Sequence, residues 1–263
     1  MSAELIHTVI TAKNLSIGYV HKKKKTVVAS DINFSIAQGT LVAMVGSNGI
    51  GKSTLLKTLT TILSPLQGSI HLQGKEITSY TSLALAGQLS VVLTETLASK
   101  NLTVLEMVSL GRQPHTNWMG TLTTDDKHSI QEALVATDIQ ALAHRNCFEL
   151  SDGQLQRAYI ARALAQDTPI IILDEPTTHL DLYHRAAIVK LLKKLSVEKN
   201  KTILFSTHEI DLAIQIADKM LVLSPNNISF DSPSELIEQG AFDALFPNEI
   251  VVFDKKTGRF SVT

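Results

Sequence analysis

The nonapeptide GSNGIGKST, Gly46 to Thr54, follows the apolar run TLVAMV and opens a stretch with helical periodicity. It fits G-x-x-x-x-G-K-[ST], and strand before, helix after is the context that phosphate binding needs. Glycines let successive backbone N–H groups curl round phosphate oxygens, and the helix N-terminus adds partial positive charge. Gly46, Ser47, Asn48, Gly49, Ile50 and Gly51 are therefore the candidate phosphate cradle. Lys52 is predicted to reach the β- and γ-phosphates of a nucleotide, the Ser53 hydroxyl to ligate Mg²⁺, and Thr54 to steady the α-phosphate. An ordinary glycine-rich turn is the alternative, and the strand-loop-helix setting argues against it.

IIILDE, Ile170 to Glu175, is an apolar run ending in two carboxylates. At the C-terminal edge of a buried strand, Asp174 is placed to hold Mg²⁺ through water, and Glu175 to orient or deprotonate an attacking water. A pair that only caps the next helix is the competing reading, weakened by the company of Lys52. His208 follows a second apolar run, TILFST. A lone histidine is more often structural than catalytic, but the end of a neighbouring parallel strand is where ligands bind. Upstream, Ser151-Asp152-Gly153-Gln154 fits the S-x-x-Q capping box, a helix start that satisfies its own N–H groups and also suits an anion.

These groups need strands to carry them. The first fifty residues read as an antiparallel hairpin, with the Lys22 to Lys25 tip as a solvated turn, feeding a buried strand. A helix is predicted from Ser53 to Leu63, stopping at Ser64-Pro65, followed by the short strand GSIHLQG and an apolar strand at Leu89 to Leu93. From about Leu97 to Asn146 the strand signal gives way to helical periodicity, which indicates an inserted helical subdomain. After Ser151, strand and helix alternate as in βαβ units, and hairpins with a short helix close the chain. The fold class is therefore α/β: a P-loop NTPase core with a mainly parallel sheet, an N-terminal antiparallel β-subdomain and a helical insertion. Residues 1–96 and 158–263 are assigned to the core with its β-subdomain, and 97–157 to the helical part.

The 263 residues are 44% hydrophobic and 19% charged, with a formal net charge of -1. That balance excludes disorder and a bulk nucleic-acid electrostatic footprint. Cys147 is the only cysteine, so no intrachain disulfide forms and a reducing compartment fits. MSAELIHTVI lacks the basic flank of a signal peptide, and no uncharged apolar run reaches the eighteen or so residues of a membrane span. Membrane association is thus expected only through a partner.

Taken together, these motifs resemble the ATP-binding subunit of ABC transporters over nearly the whole length. LSDGQ, Leu150 to Gln154, is similar to the family's LSGGQ signature with Asp152 at the third position, TTHLD resembles the D-loop, and STHE the histidine switch. The resemblance implies ATP and Mg²⁺ as ligands, Tyr19 in LSIGY stacking on adenine, and two chains meeting head to tail. Each chain would then offer Ser151, Gly153, Gln154 and Asp181 in trans to the ATP on its partner's phosphate loop. Asp152 is compatible with this where its carboxylate points away from phosphate. VLEMVSLGRQPHTNWMG and the segment around Asp174 look like importer ATPases for iron-siderophore, haem or cobalamin cargo. The implied partners are transmembrane permease subunits and, indirectly, a substrate-binding protein, at the cytoplasmic face of the inner membrane. A soluble ABC ATPase without a membrane partner is the alternative, and a non-hydrolysing regulatory module is disfavoured because Glu175 and His208 are both present. One departure stands out: where relatives have a glutamine that reaches Mg²⁺ or water, this chain has Thr94, then Glu95. Thr94 is the substitute candidate at the metal, through water, while Gln88 is expected at the wrong end of its strand.

Overall fold

The computed structural model describes residues 7–22, 24–93, 101–225, 227–243, 245, 251–255 and 258–262. Strands β1 (Thr8–His21) and β2 (Lys24–Ala37) pair antiparallel, and β3 (Leu41–Gly46) runs from them into helix α1 (Lys52–Leu59). β4 (Gln67–Leu72) and β5 (Lys75–Glu76) then complete a four-stranded antiparallel sheet in the order β2-β1-β4-β5. Lys22, Lys24 and Lys25 are exposed at the hairpin tip, as a solvated turn should be.

Helix α2 (Ser82–Ala86) leads to β6 (Leu89–Val92), after which come α3 (Val104–Ser109), a 3-10 turn over Leu110–His115, α4 (Thr124–Ala136) and α5 (Asp152–Ala165). The chain returns to the sheet through β7 (Ile170–Leu173), α6 (Leu182–Glu198), β8 (Thr202–Ser206), α7 (Ile210–Ile216) and β9 (Lys219–Leu223). β10 (Ile228–Asp231), α8 (Pro233–Glu238) and the hairpin β11 (Val251–Asp254) and β12 (Arg259–Val262) close it. The second sheet has the order β10-β9-β3-β8-β7-β6, parallel except where β10 meets β9.

The central strands read as unbroken apolar runs because both of their faces are covered. In β3, Leu41, Ala43 and Val45 join the core under α3 to α6, while Val42 and Met44 join the core shared with α1 and the antiparallel sheet. Ile171 and Leu173 of β7 face the first core, and Ile170 and Ile172 the second. Opposing side chains therefore lock the register. Leu173 stands opposite Phe205, and Met44 opposite Ser206, so the C-terminal ends of β3, β7 and β8 finish almost level.

One boundary differs from the sequence expectation. Helix α1 ends at Leu59, not Leu63: the Thr58 and Thr60 hydroxyls donate back to the carbonyls of Thr54 and Leu56, and Thr61 turns left-handed with φ of 62°. Back-bonded threonines and a left-handed residue stop the helix ahead of Pro65. Helix α5 is continuous over Asp152–Ala165 and joins the helical segment to the sheet.

The helical segment is organised around Arg112. Its Nε donates to Asp126 Oδ1 at 2.8 Å and its NH1 to the Ala165 carbonyl at 2.8 Å, both partners being buried with it. Asp126 Oδ2 accepts from the Thr123 hydroxyl at 2.7 Å and the Thr123 N–H at 2.9 Å, capping α4. The Thr123 hydrogen bonds, reinforced by Arg112, hold the carboxyl down to about 2. Removing one partner strands a buried charge, so Asp126→Ala is expected to lose about 3 kcal/mol in denaturant unfolding at neutral pH. Because the folded-state value is depressed, the wild-type advantage is expected to hold above pH 3.8 and to disappear as pH falls through about 2.

Candidate active site

The turn from β3 into α1 is built by residues without side-chain competition for its N–H groups. Gly51 takes φ of 117°, and a Cβ there would come within 2.7 Å of Val28 Cγ1, so only glycine fits. Helices α3, α4, α5, α6 and α8 each begin with a side-chain cap; α1 has none. Its first N–H groups are left for an anion.

Lys52 is only 5% exposed and donates to the Gly46 carbonyl at 2.8 Å and the Ser47 carbonyl at 3.3 Å. Burial lowers its pKa, and the charges of Glu175 and Asp174 pull the other way. The ammonium is thus held at the loop with its charge supported from β7. Asn48 and Gly49 are exposed on the loop's outer turn, and Ile50 is half-buried.

Ser53 Oγ donates to Asp174 Oδ1 at 3.4 Å, so a hydroxyl and a carboxylate converge on one point. Two hard oxygen donors fit Mg²⁺. Among the described residues no group of three or more His, Cys, Asp or Glu forms a metal cluster, and the donors here suit an ion that takes the rest of its shell from phosphate and water. Thr94 and Glu95 lie outside the described residues. Gln88 does sit at the far edge: its carbonyl accepts from Ile170 N, the first residue of β7, while Asp174 N bonds Val92 O at the last residue of β6.

Ser206 is the residue that motif reading missed. Fully buried at the end of β8, its hydroxyl donates to Asp174 Oδ1 at 2.7 Å and accepts from Glu175 N at 2.8 Å. Glu175 itself takes φ of 49°, an uncommon left-handed conformation for a side-chain-bearing residue. That twist turns the chain out of β7, and Ser206 receives the N–H it exposes. The Glu175 carboxylate then meets His208 Nε2 at 2.6 Å and the Thr178 hydroxyl at 3.1 Å. The only sequence signal for Ser206 was a small polar residue closing an apolar strand.

Tyr19 lies on β1 with its ring about half exposed, and its hydroxyl is 2.9 Å from Thr54 Oγ1. Two residues expected at the adenine and at the α-phosphate of one nucleotide are therefore in direct contact. The Ser151 capping box is present: Gln154 N donates to Ser151 Oγ at 3.3 Å and Ser151 N to Gln154 Oε1 at 3.1 Å. Asp152 is exposed and borders a crevice of about 110 Å³ whose walls include Glu175 and Asp174 of the same chain. Asp181 caps α6, accepting from His184 N at 2.8 Å.

A phosphate loop and a carboxylate pair held on one edge of a parallel sheet is the layout of P-loop nucleoside triphosphatases. The branch is decided by relatives. Residues 29–178 match the ABC transporter family. An ABC transporter ATP-binding protein of Methanocaldococcus jannaschii is 39% identical, covering 96% of this chain and 86% of its own. The iron(3+)-hydroxamate import ATP-binding protein FhuC of Bacillus subtilis is 37% identical, covering 83% and 80%. Among solved structures, an inward-facing metal-chelate type ABC transporter superposes with a TM-score of 0.78 at 30% identity, over 91% of this chain and 89% of the other. A dimeric ATP-binding cassette bound to ADP and Pi gives 0.71 at 27%, over 85% and 98%. The chain belongs to the ABC transporter family, as an ATP-binding subunit that hydrolyses ATP to drive transport.

If Ser206 fixes both carboxylates, Ser206→Ala should leave nucleotide affinity near wild type and lower kcat. Loss of a hydrogen bond to a charged group corresponds to roughly a tenfold to hundredfold effect. Steady-state ATPase assays beside fluorescent-nucleotide binding measure the two separately.

Proposed function

We propose that this chain works as a homodimer on the cytoplasmic face of the inner membrane, powering uptake of a metal chelate through permease subunits fed by a substrate-binding protein. The observation that carries the hydrolytic part is the 2.6 Å contact between Glu175 and His208, with the Glu175 backbone pinned by Ser206. A carboxylate so held has a fixed direction in which to accept a proton from water.

In this reading Gly46 to Gly51 cradle the phosphates, Lys52 draws its ammonium to the β- and γ-oxygens, and Thr54 steadies the α-phosphate. Ser53 and Asp174 hold Mg²⁺, which when bound neutralises charge on the transferring phosphoryl group. Glu175 orients the attacking water, and His208 orients Glu175. Tyr19 offers its exposed ring to adenine while its hydroxyl stays on Thr54. Ser151, Gly153, Gln154 and Asp181 serve the nucleotide of the facing chain across an isologous interface. Residues 97–157 act as the helical subdomain that meets the permease, and 1–96 with 158–263 as the catalytic core. The cargo class draws support from the metal-chelate type transporter and the iron-hydroxamate importer among similar proteins. Among the described residues no helix is long and apolar enough to cross a membrane, so in this reading the membrane is reached through the permease.

Removing the carboxylate while keeping its shape leaves the phosphate contacts intact. Glu175→Gln is therefore expected to bind ATP, to lose turnover at least a hundredfold, and to elute as a nucleotide-loaded dimer in size-exclusion chromatography. A nucleotide-loaded monomer would contradict the reading. Affinity purification of the native chain from membranes should recover polytopic permease subunits; recovery from the soluble fraction alone would favour the soluble ABC ATPase.

A further inference from the structure

His184 lies between two segments that sequence separates. On one side its Nδ1 is 2.8 Å from Asp181 Oδ1, the same oxygen that caps α6 by accepting from the His184 N–H. On the other side its ring lies against Gly153, in the first turn of α5. A Cβ at position 153 would come within 2.5 Å of His184 Cδ2 and 3.1 Å of Cγ. The ring cannot step aside freely, because moving it breaks the bond to Asp181. The His184 N–H first, and the imidazole after it, hold the Asp181 carboxyl below its ordinary range. Tyr183 packs edge-on to the imidazole, with ring centroids 5.4 Å apart, and further restricts its swing.

We propose that His184 is a positioning residue that latches the Asp181 loop to the start of α5, so that the two segments one chain extends toward its partner's ATP move as a unit. The proposal rests on the reading of Ser151, Gly153 and Asp181 as acting in trans. It gives the glycine at 153 a second reason to be glycine, an intrachain one: a side chain there displaces His184 and releases Asp181. Gly153 and Asp181 are 28 residues apart in sequence, and Leu155 and Leu180 already share a core, so the latch acts on the exposed ends of two segments packed at their base. Holding them together in the free chain lowers the ordering cost when the dimer closes.

The test uses the full chain in a Glu175→Gln background, where ATP titration followed by light scattering reports the concentration that drives half of the chains into dimers. His184→Ala is expected to raise that concentration about tenfold. His184→Asn, whose amide can donate to Asp181 from nearly the place of Nδ1, is expected to restore it to within about threefold of the parent. Gly153→Ala is expected to raise it more than tenfold alone, and by a clearly smaller factor when added to His184→Ala, since the ring it would strike is gone and only its cost at the facing chain's nucleotide remains. Fluorescent-nucleotide affinity of the His184→Ala and His184→Asn monomers should be unchanged, because each chain's own phosphate loop is untouched. Equal costs of Gly153→Ala in both backgrounds, or a His184→Ala curve matching the parent, would overturn the latch. No ATP-driven dimer even in the parent would instead overturn the trans reading beneath it.

Discussion

An ammonium group buried beside a glycine-rich turn is the constraint from which the rest of this structure follows. Lys52 gives up most of its water, and the cost is offset by the loop carbonyls and by the charges of Asp174 and Glu175 on a different strand. Those carboxylates must therefore arrive at the same edge of the sheet as the loop. Interdigitation on both faces of β3, β7 and β8 sets the register, and a slip of one residue would exchange the two cores and withdraw Asp174 from Ser53. The apolar interior is thus what positions the polar edge.

At that edge the groups are linked in series. Ser53 meets Asp174, Asp174 meets Ser206, Ser206 receives the N–H of Glu175, and Glu175 meets His208. The start of α1 and the ends of β7 and β8 contribute, and each contact crosses from one of these to another. The left-handed turn at Glu175 belongs to this chain of bonds: the strain of an αL glutamate is tolerated because Ser206 takes its backbone N–H. A displacement at any member changes the direction of the Glu175 carboxylate.

Much of this was legible from residue order. The phosphate loop, the apolar strands and the IIILDE carboxylates are local patterns, because each is set by neighbours along the chain. Ser206 was not legible, since a serine closing a strand has no mark until the register sets it beside Asp174. The early end of α1 depends on hydroxyls bonding backward to the helix, which apolar periodicity does not register. The Tyr19 to Thr54 contact and the seating of His184 on Gly153 join segments distant in sequence, and no spacing rule reaches them. For Asp152, its place beside the crevice walled by Glu175 follows only from the packing of α5.

In the proposed dimer one chain carries half of each working site: the phosphate loop closes on ATP only when a second chain brings its α5 start across. Asn48 on the loop and Asp152 on α5 are both exposed, and the single native cysteine, Cys147, is buried. Cysteines placed at 48 and 152 in the Glu175→Gln chain, treated with a short bifunctional maleimide, measure the geometry directly. The account predicts a covalent dimer that forms with ATP and not without it. A link that forms only within one chain, or an interchain link indifferent to ATP, would contradict it.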